Sequence, residues 1–383
     1  MTASADPEAV VRAARPDDVD AVVAFTRGTW GDRHDDYLSR TFPEWVESDD
    51  ADSGTFVATA PPEAVDAGGL DGRADGDTHV EGDGSGAVAA GETEAVVGCI
   101  QAVSLSAWEA WAQGLRVDPA ARGLGVSTQL STAAFDWARD RGASVCRNMV
   151  YSWNVAGLGQ SRAVGFEPAT EFRFVRPEPS GSSTEPSDPA EPSDSPTDLP
   201  ADAIDDPDPN AAWAFWTDGD DRTHLRGLAL DADEPWACSE LTREQLRTAA
   251  EEGRLLAVRG SAPGVTARDV TGRERLAGFA VRTRVADRAG DEPDRIAVYG
   301  IATWRDADAA GRLFESISAD AAAVGADVTR VLIPETVERV SDAALNRVPV
   351  SGEPDFVMRT NLTGGDSVDD PGDEAGASRS SER

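Results

Sequence analysis

Lysine is absent from this 383-residue sequence: all 35 basic residues are arginine, set against 70 aspartates and glutamates. The formal charge of −35 argues against a phosphate-rich polymer or an anionic bilayer as partner, so neither nucleic acid nor membrane is expected. An acid surplus without lysine, in a chain rich in Ala, Asp and Val, suits a surface that stays hydrated in molar salt, where the Debye length is only ~3 Å. The composition reads as that of a salt-in, halophilic archaeal protein. It is not that of a wholly disordered acidic chain, because 40% of residues are apolar and ten are Trp.

Cysteine and histidine are scarce. Cys99, Cys146 and Cys238 are odd in number, far apart and flanked by apolar residues, which suggests buried thiols and no disulfide framework. His34, His79 and His224 stand apart from one another and from every Cys, so no metal-ligand spacing exists and no metal is expected. No apolar run approaches the ~20 residues that span a bilayer. The opening MTASADPEAV carries acid where a secretory leader would be basic, and a cytoplasmic protein is expected.

What is present divides into two cores and three polar stretches. Residues 61–94, 177–209 and 364–383 are dominated by Gly, Pro, Ser, Asp and Glu and bury too little to offset ordering entropy. They read as a disordered insertion, an acidic Pro-rich linker and a disordered acidic tail. The domains are therefore expected at 1–176 and 210–363. In the first, alternating and helical periods give the order β-α-α-β-β-β-α-β-α-β, a mixed α/β sheet flanked by helices. The second repeats the later part of that order, with strands near 255–258, 276–281, 296–301, 328–333 and 356–359 and helices near 306–321 and 335–346. This suggests a divergent internal duplication.

The segment from Leu115 to Ser127, LRVDPAARGLGVS, runs from a strand through a tight loop into a helix whose apolar residues include Val126, Leu130, Ala134 and Ala138. Such a junction holds anions: loop and first-turn amides point outward, the helix dipole adds partial positive charge, and Gly123 and Gly125 admit a pyrophosphate close to the backbone. A strand-turn-helix connection using Gly for steric reasons alone is the plainer reading.

The pattern Arg122, Gly125, Ser127 resembles the acyl-CoA loop of the GNAT superfamily, Arg or Gln, two residues, Gly, one residue, then Gly or Ala, with Ser127 departing at the last place. Asn154 and the pair Gly165-Phe166 resemble the family's asparagine before the fourth helix and the Gly-Phe that closes it. The resemblance implies acetyl-CoA as acyl donor. It places Leu115, Arg116 and Val117 along the pantetheine arm, and Arg122, Gly123, Leu124, Gly125, Val126, Ser127 and Asn154 around the rest of the cofactor. It also implies direct attack by an amine, on a small molecule or at a protein amino group, in an acyltransferase acting as a pseudo-dimeric monomer or a homodimer.

Where many members carry a Tyr seven residues after the Asn, to protonate the leaving thiolate, this chain has Ser161. Ser161 acting through water is one reading, Tyr151 or Ser152 from the strand end another, and a small polar residue in a packed helix a third. Strand alternation from Glu109 to Val117 puts Glu109 on the face of Leu115 and Val117 if the strand is unbulged, which makes Glu109 a candidate base. A solvated turn carboxylate is the other reading. His34, Asp35, Asp36 and Tyr37 begin the helix that helps shape the acceptor pocket in GNAT folds. The second domain has no Gly pair at its corresponding junction, Ile301 to Asp306, and reads as a degenerate GNAT-like half that does not bind CoA. The alternative to an enzyme is a CoA-binding or structural module that keeps the fold without the chemistry.

Overall fold

The computed structural model describes residues 9–27, 29, 36–62, 65, 94–180, 203–260, 276–288 and 294–363. Most of the expected insertion and linker and all of the expected tail lie outside the described residues, as do His34, Asp35 and His79.

The first half opens with β1 (Val10–Ala13), α1 (Val19–Thr26) and α2 (Leu38–Glu47). Asp18 fixes the turn between β1 and α1: its buried carboxylate accepts two bonds from Arg12 and one from the Arg15 amide, each at 2.7 Å. Antiparallel β2 (Ser53–Ala60), β3 (Ala95–Ser104) and β4 (Glu109–Val117) follow, then α3 (Val126–Asp140), β5 (Val145–Tyr151), α4 (Val155–Ala163) and β6 (Glu167–Val175). α3 lies on the sheet because Val126, Leu130, Ala134 and Ala138 recur every four residues and bury together against Ile100, Ala110 and Ala112.

The second half begins with α5 (Pro209–Asp218), α6 (Asp220–His224), a small hairpin of β7 (Leu228–Leu230) and β8 (Cys238–Glu240), and α7 (Arg243–Glu251). Sequence periodicity did not delineate these short elements. The remainder, β9 (Leu255–Arg259), β10 (Leu276–Arg288), β11 (Asp294–Trp304), α8 (Ala307–Ala323), β12 (Val328–Pro334), α9 (Val337–Leu345) and β13 (Asp355–Asn361), repeats the order from β2 to β6.

Among the described residues eleven strands form one sheet, β1-β2-β3-β4-β5-β13-β6-β12-β11-β10-β9. The last strands of the halves have exchanged places. β13 lies antiparallel between β5 and β6, in register from Asp355↔Tyr151 to Asn361↔Val145, while β6 pairs with β12 through Val331↔Val175. A pseudo-twofold axis therefore runs between β13 and β6. The cores follow the exchange: Met358 and Leu362 pack under α3, Val175 packs under α8, and a third core takes Trp111, Phe172 and Phe174 from the first half together with Trp216, Phe279 and Leu332 from the second. Cys99, Cys146 and Cys238 are free and buried, and burial pushes the first two thiols up to about 12.

Candidate active site

β4 and β5 run parallel, yet they pair only through Glu109↔Val145, Ala110↔Cys146 and Trp111↔Arg147. Beyond Trp111 they diverge, and among the described residues the β5-facing edge of β4 has no strand partner up to Val117. A bulge causes the turn away: Gln101 faces Gln113 but Cys99 faces Arg116, so β4 holds one residue more than β3, and Gly114 sits there at φ +66. The extra residue also reverses the alternation. Ala110, Ala112, Leu115 and Val117 lie on the α3 side, whereas Trp111 packs into the core on the opposite face.

At the end of β4, Asp118 caps a single turn over Pro119–Ala121 by accepting from the Ala120 amide at 2.8 Å. Gly123 (φ +84) and Gly125 (φ +73) then adopt left-handed backbone, and α3 starts directly at Gly125 with no side-chain cap. Among the described residues the amides of Gly123, Gly125, Val126 and Ser127 have no acceptor, and a Cβ placed at either glycine would meet nothing within 4 Å. Open amides, room above them and the positive end of a helix of 15 residues fit a pyrophosphate. Arg122 is exposed beside them, Leu124 packs inward, and the Ser127 carbonyl takes the Ser131 hydroxyl at 2.8 Å.

The remaining expected residues divide. Arg116 turns away from the cleft edge: its guanidinium is paired with Asp36 at 2.7 Å, lies over the Tyr37 ring at 5.8 Å and donates to the Leu115 carbonyl. Asn154 is the cap of α4, its side chain accepting from the Gly157 amide at 2.9 Å. Ser161 is buried and accepts from the Asn148 side-chain amide at 3.1 Å, so it sits in helix-strand packing. Glu109 requires a correction. The bulge takes it off the face of Leu115 and Val117, and its buried carboxylate is held by Arg147 at 2.5 Å, by the Ser106 hydroxyl at 3.0 Å and by the Glu240 amide at 3.0 Å. A carboxylate so enclosed ties β4 to β5 and to β8.

On the far face of the cleft lie Tyr151, one of the candidate acids, and residues that sequence reading missed. Gln113 Nε2 donates to Glu234 at 2.7 Å and to Gln101 at 2.8 Å, linking β4 to the β7–β8 loop. Tyr151 ends β5, stacked on Trp153 with ring centroids 5.2 Å apart. Burial pushes its phenol pKa up, and the neighbouring Asp355 adds to this. Asp355 is itself pushed up to about 6, by burial that Arg330 only partly offsets. Only the fold brings these together, since Gln113 and Glu234 are 121 residues apart in sequence.

A cavity of about 750 Å³ lies elsewhere, between α5–α6 and the ends of β11 and α9, lined by Phe215, Trp304, Arg305, Thr336, Glu338 and Arg339 among others. Of its two arginines, Arg339 is bound to Asp221 at 2.9 Å, which also takes the Thr303 hydroxyl. Trp304 is buried and donates to Asp342 at 2.8 Å, a core role. No cradle of open glycines borders this cavity, and the chemistry is better sought at the first junction.

Residues 21–159 match the acetyltransferase (GNAT) family, a span that holds the split strands, the glycine loop and Asn154. The matched span lies within the first half and covers less than half of the chain. Among solved structures, the chain is similar to a GCN5-related N-acetyltransferase from Sphaerobacter thermophilus (13% identity, TM-score 0.49, 94% of this chain and 98% of that one). It is also similar to a tandem GNAT protein from the clavulanic acid biosynthesis pathway (12% identity, TM-score 0.44, 94% and 100%) and to an N-acetyltransferase from Staphylococcus aureus (16% identity, TM-score 0.30, 43% and 87%). No curated protein matches the sequence. The fold is a mixed α/β sheet flanked by helices, and no helix among the described residues is long and apolar enough to cross a membrane.

Proposed function

We propose that this protein transfers an acetyl group from acetyl-CoA to an amine by direct attack in a ternary complex. The observation that carries the reading is the open amide cradle of Gly123, Gly125, Val126 and Ser127 at the end of a strand split from its neighbour. These amides hold the pyrophosphate, Arg122 supplies the adjacent positive charge, and the free edge of β4 at Leu115 to Val117 receives the pantetheine amides. The acyl end then reaches the apex of the split, near Trp111 and Arg147, where an amine approaches from the face opposite α3. Ser161, enclosed by Asn148, is a poor proton donor for the thiolate. Tyr151, at the end of β5 with its phenol held protonated by burial, is the better one.

The test is binding and turnover measured separately on the full chain. Calorimetry with acetyl-CoA reads the cradle, and free-thiol release with a panel of amines reads the transfer. Binding without release from any amine would favour a CoA-binding module. The acid surplus further supports a cytoplasmic protein of a high-salt cell, whose 35 excess negative charges repel over ~8 Å at physiological salt and ~3 Å at 1 M. The melting temperature is expected to rise with KCl; a flat response would remove that reading.

A further inference from the structure

The far face of the split strands is roofed by the second half. Trp111 and Met149 belong to the core on that face, so by alternation Gln113 on β4 and Tyr151 on β5 point the same way. Val357 and Leu332 belong to it too, which places Asp355 on β13 and Arg330 on β12 beside them. Across this row runs the β7–β8 loop. At one end Glu234 accepts from Gln113 at 2.7 Å; at the other Trp236 covers Arg330, the guanidinium 4.2 Å from its ring centroid, and meets Phe174 edge-on. Asp231 makes the loop rigid, one oxygen accepting from the Asp233 and Glu234 amides and the other from Ser239 at 2.6 Å.

We infer that this roofed space is the acceptor site for a primary ammonium group, and that Glu234, supplied by the second half, is the base that deprotonates it. The inference rests on the acetyl-transfer reading and deepens it. Gln113 lies two residues past the last β4–β5 pair and next to the bulge, so its partner Glu234 stands at the apex of the split, where the acyl end would emerge. Its Oε1 is held by Gln113, while its Oε2 has no partner among the described residues and is available to an ammonium or to a water between them. Asp355 pairs with Tyr151 across the floor and has Arg330 as its neighbouring cation.

The step balances simply. An ammonium gives one proton to Glu234; the free amine attacks the thioester carbonyl as the carbon–sulfur bond breaks; the departing thiolate takes the Tyr151 phenol proton and the nitrogen's second proton restores the phenol, leaving amide and CoA thiol. Glu234 returns its proton to solvent. The groups that set its ionisation are Gln113 on β4, Asp231 in its own loop, Arg284 on β10 and Asp50 before β2. Burial is the largest influence and holds the carboxyl above its ordinary range. Because the base works ionised, kcat/KM falls as pH drops through that raised value.

The experiment uses the full chain in molar KCl. Glu234→Gln keeps the size of the side chain and its hydrogen bond from Gln113. With an amine that the wild type acetylates, the variant is expected to lose about 10²–10⁴-fold in kcat, with the acid limb of its pH profile gone. Calorimetric affinity for acetyl-CoA without amine should stay within about twofold, since the backbone amides that bind the anion at the glycine loop are untouched. In the protein free of acetyl-CoA, the ¹³C carboxyl signal of Glu234 is expected to titrate above the ordinary carboxylate range and to move when that amine is added. A variant with wild-type kcat, or a Glu234 signal indifferent to the amine, overturns the assignment and leaves the transfer reading standing. A wild-type chain that binds acetyl-CoA and acetylates no amine overturns both.

Discussion

After β4 the chain passes through Gly123 and Gly125 into α3; after β11 it goes from Trp304 through Arg305 to Asp306 and α8. Up to those points the halves are built alike. β11 pairs with parallel β12 only as far as Tyr299↔Val331 and then runs on beside β10 alone, and Gly300 is skipped in its pairing with β10 as Gly114 is skipped in β4. Both halves thus contain a split pair of strands. They differ in what stands at the helix start. α3 leaves its amides open under two left-handed glycines, whereas the Asp306 carboxylate accepts from the Ala309 amide at 2.9 Å and occupies the anion position of α8 itself. Splitting the strands belongs to the architecture, and the helix starts differ by two left-handed glycines in one half and one capping aspartate in the other.

The largest expected effect comes from separating the halves. A chain ending at Pro177 loses β13, so β5 and β6 face each other across a missing strand and the apolar residues of the shared core, Trp111, Phe172 and Phe174 among them, lose their cover. Aggregation, or homodimers in which β6 of one copy fills the gap in another, is expected by light scattering. A monomeric fragment with full acetyl-CoA turnover would show that the exchanged strand and the roof over the cleft are dispensable.

Next in size is the loss of the cradle. Gly125→Trp puts an indole where the pyrophosphate would lie and asks an L-residue to hold φ +73, a local strain of ~1–2 kcal/mol. Calorimetry should find acetyl-CoA binding abolished and circular dichroism an unchanged fold. Retained affinity would break the contrast between the two junctions, because the open one would then be no more a binding site than the closed one.

The two halves also each bury an acid–arginine pair, Glu109 with Arg147 and Asp221 with Arg339. Removing one charge strands the other in the interior, so Glu109→Gln and Asp221→Asn are each expected to cost about 3–5 kcal/mol in denaturant unfolding. For Glu109 the comparison is sharper still: stability should fall while acetyl-CoA affinity holds. A stable variant with lost turnover would restore Glu109 to the chemistry.

Local order was legible in the sequence because α3, α8 and the long strands carry clean periods, and the turn at Gly123 and Gly125 was legible because glycine takes left-handed backbone without strain. The bulge at Gly114 was not, since one extra residue leaves no compositional mark, and it moved Glu109 from the cleft into a structural pair. Strand exchange was equally hidden. β6 and β13 look the same to alternation whichever partner they take, and only long-range register decides. Glu234 could not be distinguished among 70 acids until the β7–β8 loop was seen to lie over Gln113.

The smallest expected effect tests the closed junction. Asp306→Ala removes the cap of α8 and should cost about 0.5–2 kcal/mol, read as a modest fall in the unfolding midpoint. It also opens the amides at the start of that helix, which raises the question of whether the cap alone keeps the second half from binding. The loop there is short and lacks glycine, with Arg305 donating its amide to the Ala277 carbonyl and its guanidinium to the Leu276 carbonyl, so the backbone stays tied to β10 and gives a pyrophosphate no cradle. Calorimetry on the variant should still count one acetyl-CoA per chain. A second equivalent would mean that one carboxylate separates a binding half from a silent one.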